Sequence, residues 1–298
     1  RRGIPVESEI TLLVRLLRAL QRKETGFLFL DTHAGRGRYD LEAASTGATL
    51  ARKPEWPDGI GRLAGAGGVP AAIADALALA RTFDERAGHL APRPRFYPGS
   101  PWFARLLARP QDRLALCEKH PAECAALSAE FQFSPRTTVQ EMDGYAALRA
   151  LLPPPERRAL VLLDPPFEAQ DEFAQLAAAL GEGLRRFPTG VYAAWYPLTE
   201  RARVDEFFDA VRQLRPPPAL AAELTIAGES AAIKMRGCGL LVLNPPWQFD
   251  REAEAITRLQ AGGISPLALI NRGFDVLVDG AARELAEIHV SGGQRGLN

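Results

Sequence analysis

Four acidic side chains follow four runs of residues that are typical of strands. They are Asp31, Glu118, Asp143 and Asp164. In an open α/β sheet, ligands bind outside the carboxyl ends of the strands, close to the point where the strand order reverses. If these runs form neighbouring parallel strands, the four carboxyl groups converge on one site.

A glycine turn follows the first of these strands. It reads THAGRGRY and carries His33, Gly35 and Gly37. The turn is an incomplete dinucleotide fingerprint, so a tight turn without a ligand is the alternative. Glu118, at the end of the next strand, can accept hydrogen bonds from both ribose hydroxyls of a nucleoside cofactor.

The charge around the turn distinguishes between cofactors. Two further acids, Asp143 (followed by Gly144) and Asp164, would repel a pyrophosphate. S-adenosylmethionine has no phosphate and carries a sulfonium and an ammonium group, so it suits a mostly acidic rim better than NAD. This pattern favours a methyltransferase.

The tetrapeptide Asp-Pro-Pro-Phe at 164–167 favours a particular reaction. The exocyclic amine of a base is a weak nucleophile, and the protein must hold and align it. The carboxylate of Asp164 and the carbonyl of Pro165 can accept its two N–H groups, while the ring of Phe167 stacks on the extruded base. No metal is required. A proline turn with an acid that caps the next helix is the alternative.

A second tetrapeptide, Asn-Pro-Pro-Trp at 244–247, matches the same pattern. We expect the last two strands to form an edge hairpin, in which the seventh strand runs antiparallel. Asn244 then lies at the opposite edge of the sheet, roughly 17–20 Å away. We therefore interpret residues 244–247 as a strand end with a packed Trp247.

Strand-like runs alternate with helical patterns along most of the chain, which predicts an α/β doubly wound, mostly parallel seven-stranded sheet. The predicted strands are Phe27–Leu30, Leu114–Cys117, Thr137–Gln140, Leu160–Leu163, Val191–Trp195, Glu223–Ile226 and Leu240–Leu243. Residues 41–95 interrupt the alternation with one helical run, Pro70–Phe83. We predict a core of residues 1–40 and 96–298, and a helical insertion at 41–95.

Composition excludes some classes of protein. The 298 residues include 36 Lys and Arg and 36 Asp and Glu, so binding to a polyanion needs a local basic patch. Candidates for phosphate contacts are Arg36, Arg38, Arg93 and Arg95, with solvated surface charge as the alternative. Three cysteines without metal spacing suit a reducing cytoplasm, and no apolar run is long enough for a membrane helix.

Several ordered segments resemble a known family. They are FLFLDTHAGRGRYDL, FYPGSPWFARLL, LALCEKHPAE, EMDGYAALRALLPPPERRALVLLDPPFE, GVYAAWYPL and GCGLLVLNPPW. Together they are similar to the bacterial 23S ribosomal RNA adenine-2030 N6-methyltransferase family, RlmJ, over about residues 10–250. The resemblance implies a class I S-adenosylmethionine-dependent methyltransferase fold, S-adenosylmethionine as cofactor and 23S ribosomal RNA as partner.

The resemblance also implies site residues. Cofactor contacts fall on His33, Ser100, Glu118, Asp143 and Gly144, and the catalytic role falls on Asp164. Ser100 is indicated by the resemblance alone. The family has a Lys-His pair where this chain has Glu9-Ile10. This difference leaves open a catalytically impaired member that binds cofactor or nucleic acid. A DNA adenine N6-methyltransferase is a further alternative, because extrusion of the base makes the local chemistry identical.

Overall fold

The computed structural model describes residues 6–42, 71–225, 237–260 and 274–278. Within these ranges strands and helices alternate. The elements in chain order are α1 (Val6–Gln21), β1 (Leu28–Asp31), β2 (Arg38–Asp40), α2 (Ala71–Arg86), β3 (Phe96–Pro98), α3 (Ser100–Leu107), β4 (Arg113–Glu118), α4 (Pro121–Phe131), β5 (Thr137–Glu141), α5 (Gly144–Leu151), β6 (Ala159–Leu163), α6 (Glu172–Arg186), β7 (Val191–Leu198), α7 (Arg201–Gln213), β8 (Ala219–Thr225), β9 (Gly237–Leu243), α8 (Phe249–Gln260) and β10 (Phe274–Val278).

The main sheet has the strand order β10-β8-β9-β7-β6-β1-β4-β5. Strand β1 pairs in parallel with both β4 and β6, so the order reverses beside β1. All seven predicted strands are present, although Ile226 of the sixth lies outside the described residues. The sheet has an eighth strand that the sequence did not indicate, β10, which pairs in parallel with β8. The arrangement confirms the predicted class I methyltransferase fold.

Strand β9 runs antiparallel to both of its neighbours, as predicted. Its last residue, Leu243, lies opposite Tyr192 near the start of β7. The side chain of Asn244 donates hydrogen bonds to the carbonyls of Pro188 and Gly190, just before β7. Asn244 is therefore at the amino edge of the parallel strands, away from the ends of β1 and β6. The prediction of a packed Trp247 is wrong, because 63% of this residue is exposed.

The central strands β1, β4, β6, β7 and β9 are almost entirely buried, whereas the edge strand β5 is partly exposed. Along β6 the side chains alternate between two cores, with Val161 and Leu163 in one and Leu160 and Leu162 in the other. Helices α5, α6 and α7 cover the first face, and α1, α3, α4 and α8 contribute to the second. This double cover explains why the strands read as continuous apolar runs rather than as alternating ones.

Two short strands flank the predicted insertion. Strands β2 and β3 pair antiparallel, and the N–H of Leu41 donates to the carbonyl of Arg95 at 2.8 Å. Neither strand was predicted, because three residues such as Arg38–Asp40 are too short to show an alternating pattern. The predicted helical run corresponds to α2, while residues 43–70 lie outside the described part of the chain.

Helix α2 packs against the core. The guanidinium of Arg18 on α1 binds the carboxylate of Asp75 at 2.6 and 2.7 Å. The ring of Phe83 contacts that of Trp102 on α3, with 5.2 Å between centroids. None of the helices in the described ranges is long and apolar enough to cross a membrane.

Candidate active site

The glycine turn after β1 is bonded to the end of β4. The N–H of Gly35 donates to Oε2 of Glu118 at 2.9 Å, and the N–H of Ala34 donates to the carbonyl of Cys117 at 2.9 Å. Gly35 and Gly37 have φ of +63° and +79°, a region that favours glycine. The turn leads into β2 and not into a helix.

Glu118 is half-buried and accepts two backbone hydrogen bonds. Its Oε2 binds the turn, and its Oε1 accepts from the N–H of His120 at 2.7 Å. Each carboxylate oxygen has two lone pairs, so one on each oxygen is left for a ligand. Glu118 therefore fixes the turn and also offers two acceptors at the carboxyl end of β4.

Asp31 connects two segments that are distant in sequence. It is fully buried at the end of β1, where Oδ1 accepts from the N–H of His33 at 3.2 Å. Its Oδ2 accepts from Oγ of Ser100 at 2.7 Å, at the first residue of α3. The structure thus brings Ser100, which only the family resemblance indicated, to the strand end that carries His33.

The turn after β5 is closely packed against the glycine turn. Asp143 caps α5 by accepting from the N–H groups of Tyr145 and Ala146 at 3.0 and 3.1 Å. A Cβ on Gly144 would lie 2.1 Å from the carbonyl oxygen of Thr32, so only glycine fits there. This contact places Asp143 and Gly144 beside the residues that follow β1.

Asp143 also forms an ion pair. The ammonium of Lys119 lies 3.0 Å from its Oδ2. Desolvation alone would raise the pKa of Asp143, but the hydrogen bond from Lys119 and those from the backbone lower the pKa below its usual range. The carboxylate is therefore charged at neutral pH, and Lys119 is a cation on a rim that the sequence had suggested was mostly acidic.

Asp164 lies close to the glycine turn after β1. In the strand register, Asp31 lies opposite Leu116 of β4 and Leu162 of β6. Glu118 comes two residues after Leu116, and Asp164 comes two residues after Leu162. The N–H and the hydroxyl of Thr32 both donate to the carbonyl of Leu162, at 3.0 and 2.9 Å. Asp164 is 6% exposed. The four predicted acids therefore meet at one edge.

The loop after Asp164 contains a residue with unusual backbone geometry. Pro165 is buried and Phe167 is half-buried, with a φ of +51°. A side chain at such an angle costs about 1–2 kcal/mol, and such residues are concentrated at functional sites. The ring of Phe167 packs edge to face against two aromatic rings. Its centroid lies 4.8 Å from that of Phe173 and 5.7 Å from that of Trp195.

Three of the arginines considered for phosphate contacts have acidic partners. Arg36 pairs with Glu123 at 3.0 Å, and Arg38 pairs with Glu130 at 2.9 Å. Arg95 lies 3.8 Å from Asp40 and 3.6 Å from Glu42. These pairs favour the interpretation of the arginines as surface charge.

Sequence reasoning did not identify every residue that shapes the site. The bonds of Asp31 to Ser100, of Thr32 to Leu162 and of Lys119 to Asp143 join residues far apart in the chain. The cap by Asp143 did leave a signal, because an Asp before a short helical run is typical of a helix N-terminus. The hydrogen bond from the hydroxyl of Tyr145 to Glu172 has no such signal in the sequence.

Comparison with known proteins identifies the family. The family model described as "Ribosomal RNA large subunit methyltransferase D, RlmJ" matches residues 24–266. The chain belongs to this family. The RlmJ resemblance seen in the sequence is thereby confirmed.

Relatives in this family cover most of the chain. The chain is 37% identical over 237 residues to ribosomal RNA large subunit methyltransferase J of Escherichia coli, covering 80% of this chain and 81% of that protein. It is 36% identical over 244 residues to the Haemophilus influenzae protein of the same name, with 82% and 84% covered. The crystal structure of protein LPL1258 from Legionella pneumophila matches with a TM-score of 0.75 and 33% identity, over 87% of this chain and 91% of that one.

Proposed function

We propose that the protein transfers a methyl group from S-adenosylmethionine to the exocyclic N6 of an adenine in 23S ribosomal RNA. The observation that carries the proposal is the position of Asp164, next to the glycine turn that Glu118 holds. Membership of a family of ribosomal RNA large subunit methyltransferases supports the substrate class. The N6 atom is inferred from the chemistry of the 164–167 loop.

The turn after β1 suits a cofactor without phosphate. A dinucleotide would need backbone N–H groups of the turn as donors to its pyrophosphate. Here the N–H of Gly35 already donates to the carboxylate of Glu118, whose charge would repel a phosphate. S-adenosylmethionine carries positive charge instead, and these acidic acceptor groups fit it.

The residues that we assign to the cofactor follow from their places around the turn. Glu118 has free lone pairs for the ribose hydroxyls. The remaining assignments are His33, Gly35, Gly37, Ser100, Asp143 and Gly144, which lie on the three connected turns after β1, β3 and β5. When bound, the cofactor supplies an electrophilic methyl group.

The protein's own residues hold and align the amine. We infer that the Asp164 carboxylate and the Pro165 carbonyl accept its two N–H groups, which concentrates electron density on the nitrogen. The ring of Phe167 offers a face for the extruded base, and such stacking contributes about 1–3 kcal/mol per base. Because Phe173 and Trp195 support this ring, its position is set before the base arrives.

We also propose that residues 41–95 form an insertion in the methyltransferase core, composed of residues 1–40 and 96–298. The antiparallel pairing of β2 with β3 supports this division, because it brings the two ends of the segment together. The bond from Leu41 to Arg95 closes the same junction.

Labelled S-adenosylmethionine tests the proposal. The protein is incubated with 23S ribosomal RNA that lacks the modification and, separately, with duplex DNA of matched sequence, and both are digested to nucleosides. We expect N6-methyladenosine from the RNA alone. Label in the DNA would indicate a DNA methyltransferase, and cofactor binding without transfer to either polymer would indicate a binding protein.

A further inference from the structure

The far end of the 164–171 loop is attached to the start of α6. Glu172 and Phe173 are the first two residues of this helix, and both are buried. The ring of Phe173 meets that of Phe167 at 4.8 Å and 62°. The start of α6 therefore determines where the proposed base-stacking ring lies.

Glu172 is in turn fixed by a residue of the cofactor side of the site. The hydroxyl of Tyr145 donates to Oε1 of Glu172 at 2.5 Å. Tyr145 follows Asp143 and Gly144 directly, and its ring contacts that of His33 edge to face, with 5.2 Å between centroids. One side chain thus touches both the turns assigned to the cofactor and the helix that supports the base loop.

We propose that Tyr145 and Glu172 are a positioning pair, which couples the cofactor turns to the 164–167 loop through Phe173 and Phe167. The pair touches neither the methyl group nor the base in this proposal, which rests on the proposed function. Its role is to hold the loop in the conformation that accepts the amine. A misplacement of about 1 Å is enough to cost roughly a hundredfold in rate.

The geometry of the loop explains why it needs such support. Phe167 has a φ of +51°, and a strained residue persists only where its surroundings over-determine it. A further contact comes from α7, where the guanidinium of Arg203 donates to the carbonyl of Gln170 at 2.7 Å and lies 5.6 Å from the ring of Phe173. The Tyr145 contact also reaches the cofactor side.

The chemistry of the pair suits a fixed hydrogen bond. Burial raises the pKa of Tyr145 well above its ordinary value, and the hydrogen bond to Glu172 and the nearby acids raise it further. Tyr145 is therefore protonated and acts as a donor across the neutral range. The carboxylate of Glu172 lies in the first turn of α6, where the helix dipole stabilises negative charge.

Steady-state kinetics give the first test. In Tyr145→Phe we expect kcat for RNA methylation to fall about ten- to a hundredfold, with the Kd for S-adenosylmethionine within twofold of wild type. Glu172→Leu has the same effect, whereas Glu172→Gln keeps an acceptor oxygen and stays within about threefold. Since both residues act through one contact, the double variant Tyr145→Phe/Glu172→Leu loses no more than the worse single variant.

Tyr192→Phe is the matched control. Tyr192 is fully buried, whereas Tyr145 is half-buried, and the hydroxyl of Tyr192 donates to the carbonyl of Phe187 at 2.8 Å, away from the loop. This variant loses a similar amount of stability but retains its kcat. Equal kcat losses in Tyr145→Phe and Tyr192→Phe, additive losses in the double variant, or a proportional loss of cofactor affinity would overturn the proposal. If Tyr145→Phe does not fold, the contrast between Glu172→Leu and Glu172→Gln decides the question.

Hydrogen exchange separates this proposal from the proposed function, because it needs no turnover. Amides of residues 167–171 exchange faster in Tyr145→Phe than in wild type, and those of β7 do not change. Unchanged exchange at 167–171 overturns the positioning role even if the protein methylates RNA. If Tyr145→Phe exchanges faster at these residues but the wild type methylates no RNA, the result supports the positioning role and contradicts the proposed function.

Discussion

The backbone N–H of Gly35 donates a 2.9 Å hydrogen bond to the carboxylate of Glu118. This contact joins the glycine turn after β1 to the end of β4. It uses a donor that a phosphate-containing cofactor would require, and it leaves two acceptor lone pairs on the carboxylate. We propose that these lone pairs bind the ribose hydroxyls of the cofactor, so that the same carboxylate shapes the turn and disfavours a cofactor with phosphate.

Substitution of Glu118 is expected to weaken cofactor binding. Glu118→Gln removes the charge and exchanges one acceptor oxygen for a donor, and hydrogen bonds to a charged group contribute about 1.5–3 kcal/mol. We expect the Kd for S-adenosylmethionine, measured by calorimetry, to rise at least about tenfold. Glu141, which lies opposite Glu118 on β5 and is exposed, provides the control. Equal affinities in Glu118→Gln and Glu141→Gln would exclude this role.

Substitution of Phe167 is expected to affect the RNA and not the cofactor. Phe167→Leu keeps an apolar side chain against Phe173 but removes the aromatic face, and one stacked base contributes about 1–3 kcal/mol. The value of kcat/KM for RNA should fall about five- to a hundredfold, while the Kd for S-adenosylmethionine stays constant. Phe133→Leu, at a residue that is 90% exposed beyond α4, is the control. A loss of cofactor affinity in Phe167→Leu would argue against base stacking.

Much of the fold was predictable because buried strands leave continuous apolar runs. The antiparallel direction of β9, and with it the position of Asn244, followed from the edge hairpin usual in this kind of sheet. Strands β2 and β3 were not predictable, since three-residue strands carry no periodic pattern. Strand β10 was not predicted either, although it pairs in parallel with β8.

The residues of the candidate site also include some that the sequence indicated and some that it did not. The acids at 118, 143 and 164 were identified because each follows a strand-like run. The hydroxyl bond of Ser100 to Asp31 spans 69 positions, and that of Tyr145 to Glu172 spans 27. Such contacts depend on how turns from different strands pack, so neither residue type nor spacing indicates them. The family resemblance supplied Ser100, and only the structure supplied Tyr145 and Glu172.

The stability of the fold is expected to depend on pH through Asp112. This buried carboxylate accepts hydrogen bonds from the guanidinium of Arg109 at 2.9 and 3.0 Å and from the N–H of Phe27 at 3.3 Å. Desolvation alone would raise its pKa, but the bonds from Arg109 lower the pKa below its ordinary value. The stabilisation is therefore complete above about pH 4, the ordinary range of the group, and is lost as the pH falls below it.

Urea unfolding at pH 7 and pH 3 measures this contribution. At pH 7 we expect Asp112→Asn to lower the free energy of unfolding by about 2–3 kcal/mol, because Arg109 loses its charged partner. The difference from wild type should shrink at pH 3. Glu85→Gln, at an exposed pair with Arg81 on α2, should change the free energy by less than about 1 kcal/mol at either pH. A constant difference for Asp112→Asn at both pH values would show that its charge is not responsible.

The catalytic assignment of Asp164 is tested most directly by methyl transfer from labelled S-adenosylmethionine to unmethylated 23S ribosomal RNA, with wild type and Asp164→Ala compared side by side. We expect N6-methyladenosine with the wild type. With Asp164→Ala we expect a rate about 10²–10³-fold lower, with the Kd for the cofactor within about threefold. Methylation by Asp164→Ala at a rate near that of wild type would contradict the catalytic role of Asp164, and wild-type transfer to an atom other than adenine N6 would contradict the proposed reaction.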